Sequence, residues 1–202
     1  MALADISPIV SVIALAVSLF TLWFTVLRRG TIRCTHPSFI AFRYDFVGTK
    51  VPLAKIFLRA LLVSTAKRGQ VVESLFLRVR EGSRSAEFSF WGHGDKELVR
   101  GSGLFVPETG VVTNHHFNPL DTEILFLFSG GTYTLELIAK VIGREQLESL
   151  WSVDLEMPPG VFGNTIARET AVFFSWSPEQ RRYIGTVENR SGAIHAFSDP
   201  QG

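Results

Sequence analysis

Cysteine is nearly absent from this chain, with Cys34 the only one among 202 residues. A single thiol cannot form an intrachain disulfide. Charge of one sign is lacking as well: the formal net charge is +1, which gives no general electrostatic case for a nucleic-acid partner. The most informative deficit is local. Ile6 to Leu27, a run of 22 residues, contains no charged side chain, and Arg28 and Arg29 follow at once. As a helix this run would be about 33 Å long against a hydrocarbon core of about 30 Å, so it is expected to span a bilayer with little tilt.

A cleaved signal peptide would need a basic start, a shorter apolar core and a small-residue exit. Met1 to Asp5 hold no Lys or Arg, and Val26-Leu27-Arg28-Arg29 is not an A-x-A-like site. A retained anchor is therefore expected. Arg28, Arg29, Arg33 and Arg43 all follow the span, so the positive-inside rule predicts a cytoplasmic body. Trp23 near the basic end suits the interfacial aromatic belt.

Within the run, Ser7, Ser11, Ala14, Ser18, Thr21 and Thr25 recur at steps of four and three, which places them on one stripe of a helix. Bulky Val10, Ile13, Val17, Phe20, Phe24 and Leu27 occupy the other side. Helices in lipid associate through close packing of small residues and Ser/Thr hydrogen bonds, so the stripe predicts self-association or packing on another membrane protein. The competing reading has each hydroxyl bonded to its own helix backbone.

After Gly30 the hydrophobic period changes from helical to alternating, as in an all-β domain. Strands are expected at Ser38–Phe46, Ile56–Val63, Val71–Arg80, Arg84–Trp91, Leu98–Phe105, Val111–Phe117, Glu123–Phe128, Thr132–Ile142 and Gln146–Met157. Inward sets include Leu75, Leu77 and Val79, then Tyr133, Leu135, Leu137, Ala139 and Val141, then Leu147, Trp151, Val153, Leu155 and Met157. This density of strands predicts an antiparallel β-sandwich over residues 31–158, after an anchor at 1–30. Pro158-Pro159-Gly160 and Gly163 mark a boundary. Residues 159–202 read as a C-terminal hairpin, Ala171–Trp176 and Arg182–Val187, with a tail, packed on the sandwich or on a partner.

Gly130-Gly131-Thr132-Tyr133-Thr134-Leu135 resembles the tyrosine corner of immunoglobulin-like sandwiches. The resemblance covers this segment alone and implies a Greek-key sandwich. The Cys…Trp…Cys pattern of immunoglobulin domains is absent, and no functional residue is carried over.

No catalytic or metal signature emerges. His115 and His116 are adjacent on a strand and point to opposite faces, so they cannot easily share an ion. His93 and Asp95 lie between two expected strands and could be assembled by folding with one of that pair, but no zinc signature is present. Cys34 has only His36 near it in sequence, no G-x-S-x-G elbow occurs, and Gly101-Ser102-Gly103 and Gly130-Gly131 lack the strand-then-helix context of a phosphate cradle. No cofactor and no enzymatic activity are expected. The charge is uneven, +8 over residues 28–100 and −6 over 101–202. Lys67, Arg68, Arg78, Arg80 and Arg84 form the best candidate for an anion or partner patch, though a charged row on a strand is by default its solvated face. Two functional classes follow. The first is a membrane-tethered module that binds partner proteins through a sheet edge or the terminal hairpin. The second is an effector whose β-domain binds a small anionic, nucleotide-like ligand and rearranges the membrane helices.

Overall fold

The computed structural model describes residues 3–27, 29–45, 52–93, 98–101, 103–120, 126–162 and 170–189. Its first element is helix α1, Leu3–Leu22, which runs into a π-helical turn at Trp23–Leu27. The helix begins before the apolar run does. Pro8 therefore lies inside it and not in the first turn, and the Ala4 carbonyl lacks the N–H donor four residues on. Pro8–Thr25 is long and apolar enough to cross a membrane, and none of it is buried against the rest of the chain.

Everything described after the helix is antiparallel β. The strands are β1 (Ile32–Cys34), β2 (Phe39–Asp45), β3 (Leu53–Ser64), β4 (Gln70–Glu81), β5 (Arg84–His93), β6 (Leu98–Arg100), β7 (Leu104–Val106), β8 (Val111–Pro119), β9 (Gly131–Val141), β10 (Leu147–Met157), β11 (Thr170–Ser177) and β12 (Arg182–Asn189). They pair in the order β10-β9-β4-β5-β8-β3-β2-β11-β12, with β1 on β3, β6 on β5 and β7 on β4. This is one continuous sheet, curled into a half-barrel. The curl is visible in its core: Phe42 on β2 and Tyr133 on β9 are far apart along the strand order, yet their rings lie 5.8 Å apart.

Alternation determines which residues fill that core. Ile40, Phe42 and Tyr44 of β2, Ile56, Leu58 and Leu62 of β3, and Leu75, Leu77 and Val79 of β4 are all buried, as are Tyr133, Leu135, Leu137, Ala139 and Val141 of β9. In β10 the period slips. A bulge between Ser149 and Trp151 inverts the facing of the residues before it, so Leu147 is 54 % exposed while Trp151, Leu155 and Met157 are buried.

Three further departures have local causes. The expected strand Leu98–Phe105 is two short strands: Gly101 N–H donates to Phe90 O and Gly103 N–H to Glu73 O, so the segment fills the wedge where β4 and β5 splay apart. In the expected strand Glu123–Phe128, residues 123–125 lie outside the described residues, and Phe126–Phe128 forms no strand. The terminal hairpin extends the sheet itself, because β11 pairs with β2 from Ala171↔Arg43 to Ser175↔Phe39 and buries Val172 and Phe174. The tail from Ser191 lies outside the described residues.

Candidate functional site

Four places in the fold bear on function. The first is the end of the sheet where the helix leaves. Gly30 is packed so closely there that a β-carbon would fall 2.2 Å from Ala66 N. Thr31 N–H donates to Thr65 Oγ1 at 2.7 Å, and Thr65 N–H donates back to Thr31 O at 2.9 Å. Arg144, on the β9–β10 turn, donates to Gly30 O, to Gln70 Oε1 at 2.7 Å and to the Glu148 carboxylate. The chain just after the helix, at Gly30 and Thr31, is thereby clamped to the domain. A cleft of about 310 Å³ opens beside this clamp, lined by Arg29, Arg68, Phe105, Ile142 and Arg144 among others. Sequence reasoning missed Arg144, Phe105 and Ile142. The available signal was a turn at Gly143 with an apolar residue before it and an arginine after it.

The second place is the helix stripe. Ser18 Oγ donates to Ala14 O at 2.8 Å, Thr21 Oγ1 to Val17 O at 2.8 Å and Thr25 Oγ1 to Thr21 O at 2.7 Å. These hydroxyls bond to their own backbone while their side chains stay on the helix surface. Ser11 and Ala14 are exposed, and the Ser7 side chain lies outside the described residues. Thr25 belongs to the wider π turn, which rotates it off the line set by the α-helical members.

The third place is the arginine cluster, and the structure does not bring its five members together. Lys67 and Arg68 sit on the turn between β3 and β4, at the helix-exit end. Arg78 and Arg80 lie beyond about 25 Å of β4, and Arg84 opens β5 at the far end. The far three have acidic neighbours. Arg78 pairs with Glu87 at 3.2 Å and Glu136 at 3.1 Å, Arg80 shares Glu136 at 3.4 Å, and Arg84 pairs with Glu81 at 2.8 Å and lies 4.8 Å over the Phe126 ring. Antiparallel registers place these partners, since Arg78 stands opposite Glu87 on one side and Glu136 on the other. The charge is spent across the strands.

The fourth place is the seam where the curled sheet fails to close. Among the described residues, the outer edges of β10 and β12 have no strand partner. Part of the seam is plugged: Trp151 and Tyr183 rings lie 6.4 Å apart, Trp151 Nε1 donates to His36 Nδ1 at 3.4 Å, His36 stacks on Trp176 at 4.3 Å, and Tyr183 OH donates to Pro37 O at 2.7 Å. Beside this plug is a cleft of about 490 Å³ between Asp154–Glu156 and Arg182–Gly185. Ile184, Gly185, Thr186 and Val187 are exposed in succession, so both faces of β12 meet solvent.

Groups capable of chemistry are scattered. His115 is fully buried between Phe90, 5.5 Å away, and Phe117, 6.2 Å away. Burial pushes its pKa down to about 4, and the nearby backbone of Leu58 and Thr113 opposes this only in part. His116 faces the other way, against Phe57 at 4.9 Å. The His93 side chain and Asp95 lie outside the described residues, which contain no cluster of three or more metal-ligating side chains. Burial pushes the Cys34 thiol up to about 12, so it stays protonated and is a poor nucleophile.

Tyr133 braces the connection that leads into its own strand: its OH accepts from Ser129 N–H at 2.7 Å and donates to Ser129 O at 3.2 Å. A second tyrosine braces the same connection, with Phe128 N–H donating to Tyr44 OH at 2.6 Å. Compared with protein-family models and with curated proteins, the chain matches none.

Proposed function

We propose that this protein is a single-pass, membrane-anchored, non-enzymatic β-module that holds a partner protein at the bilayer by adding a strand to the open edge of β12. The carrying observation is that edge: Ile184 and Val187 are 42 % and 45 % exposed on a strand whose outer hydrogen-bonding groups have no strand partner among the described residues. Exposed edges of this kind are ordinarily shielded by charge, proline or a covering segment, because they template pairing with another chain. Between its charged residues, Arg182 and Glu188, β12 presents Ile184 to Val187, whereas the opposite edge, β10, places Asp154 and Glu156 along its second half.

The span sets the location, with Arg29 and Arg33 favouring a cytoplasmic domain. The hydroxyl stripe supports packing of the span on a second copy or on another membrane protein, since backbone-bonded Ser and Thr still allow close approach. The Tyr133 corner supports a relation to immunoglobulin-like sandwiches at this one connection. Ligand sensing through the arginine cluster has less support, because Arg78, Arg80 and Arg84 already have carboxylate partners.

Photo-crosslinking from positions 184 and 187 of the full chain in native membranes tests the reading. Adducts are expected from both, and Ile184→Lys is expected to abolish the one from 187. An adduct of twice the chain mass identifies a second copy, and another mass identifies a distinct partner. Absence of any adduct from either position sinks the edge as the binding site. A span that stays monomeric in a bilayer, unchanged by Ser11→Leu and Ser18→Leu, removes the helix seam.

A further inference from the structure

We propose that the helix-exit end of the β-domain is itself a lipid-docking surface, which seats on the headgroups of an anionic leaflet through Phe105, Ile142 and Leu147 and through Arg29, Lys67 and Arg68. This rests on the reading that α1 spans the bilayer, and it adds a fixed orientation of the domain to a mere tether.

Connectivity is the first support. From Leu27, the last helical residue, to the clamped Thr31 is a reach of at most about 14 Å. The headgroup layer on each side of a bilayer is about 5–7 Å thick. The domain end that carries the clamp is thus kept within reach of the lipid surface whatever the tilt of the helix.

The distribution of exposed apolar side chains is the second support. Among the described residues of the β-domain, four large hydrophobics are more than half exposed: Phe105 at 53 %, Val112 at 52 %, Ile142 at 61 % and Leu147 at 54 %. All four belong to the helix-exit end. Phe105 caps Gly69, Ile142 N–H bonds Val71 O at the mouth of β4, Leu147 opens β10, and Val112 is the second residue of β8, opposite Leu61. An aromatic and aliphatic set grouped around an exiting span is what an interfacial contact requires.

Charge is the third. Arg29, Lys67 and Arg68 are exposed and make no ion pair among the described residues, whereas the arginines at the other end of β4 are neutralised. Glu108 and Glu145 also lie at the helix-exit end, so the cationic excess is modest, and the apolar contacts and charges must act together. Each cation at an anionic surface contributes enough to change the docked-to-undocked ratio about fivefold.

The full chain in nanodiscs of mixed zwitterionic and anionic phospholipid provides the test. In a Cys34→Ser background, an environment-sensitive dye is placed singly by Ile13→Cys in the helix, Thr109→Cys at the helix-exit end or Ser83→Cys on the far turn. Quenching by lipids that carry a nitroxide near the headgroup or deep in the acyl chain is then read. Deep quenching at 13, shallow quenching at 109 and none at 83 is the expected result, with Lys67→Gln and Arg68→Gln each lowering the docked ratio seen from 109 about fivefold. Quenching at 109 no greater than at 83, with 13 still quenched, overturns the docking surface and leaves the span standing. An unquenched dye at 13 overturns the span and the docking with it.

Discussion

The two ends of β4 carry the same kind of side chain in opposite circumstances. At the far end Arg78, Arg80 and Arg84 pair with Glu87, Glu136 and Glu81, and their charge is absorbed within the sheet. At the helix-exit end Lys67, Arg68 and Arg29 face outward beside exposed Phe105 and Ile142. A cation's role in this molecule therefore depends on its cross-strand neighbours and not on its residue type. One end is built for the stability of the sheet, and the other leaves charge and apolar surface available to something outside the chain.

Between the ends, mid-sheet, lies the group with the largest expected effect. His115 folds as a neutral imidazole with its pKa near 4, against an ordinary value near 6.5. Between those values the unfolded chain binds a proton that the native state excludes, so stability is fully present above about pH 6.5 and falls as pH drops toward 4. The loss should approach roughly 3 kcal/mol. Denaturant unfolding of the detergent-solubilised protein at several pH values measures it, and His115→Phe should flatten that part of the profile.

At the helix-exit end, Gly30→Ala should cost about 1–3 kcal/mol, because the new methyl must displace the Thr65–Ala66 backbone. Limited proteolysis near residue 30 should accelerate in parallel. If it does not, the clamp fails to hold the segment after the helix to the domain and the docking geometry loses its basis.

Charge removal then contrasts the ends directly. Glu136→Gln leaves the half-buried Arg78 and Arg80 short of a carboxylate and should destabilise by about 1 kcal/mol, discounted because Arg80 is 52 % exposed. Lys67→Gln with Arg68→Gln should change unfolding free energy by less than about 0.5 kcal/mol. Equal effects of the two variants would erase the distinction between a structural and an available set of cations.

Much of the fold was legible in one dimension. The apolar run before Arg28 marks the helix, and period-two alternation picks out the inward faces of β2, β3, β4 and β9, because burial on one side of a pleated strand is a local pattern. Legibility ended where the backbone departs from regularity. The bulge at Ser149/Trp151 exposes Leu147, Gly101 and Gly103 divide β6 from β7, and β1 is too short for a pattern to show. Of the candidate sites, the spacing of the helix hydroxyls is a one-dimensional pattern, but it does not tell that Ser18, Thr21 and Thr25 bond their own backbone, and the arginine group was read as one patch because sequence cannot measure the length of β4 that separates its members.

What the sequence by itself determined is the set of surfaces that must avoid water or seek it: an uncharged apolar helix, alternating strands, an outward row of cations. What only the tertiary structure decided is which of these surfaces meet. Strand order puts β11 beside β2, the curl brings Phe42 to Tyr133, and the registers give Arg78 its two glutamates while Lys67 and Arg68, on a turn, have none among the described residues. The physical reason is that polarity and periodicity are properties of neighbours in the chain, whereas pairing across strands depends on order and register, which a curled sheet settles over long sequence separations.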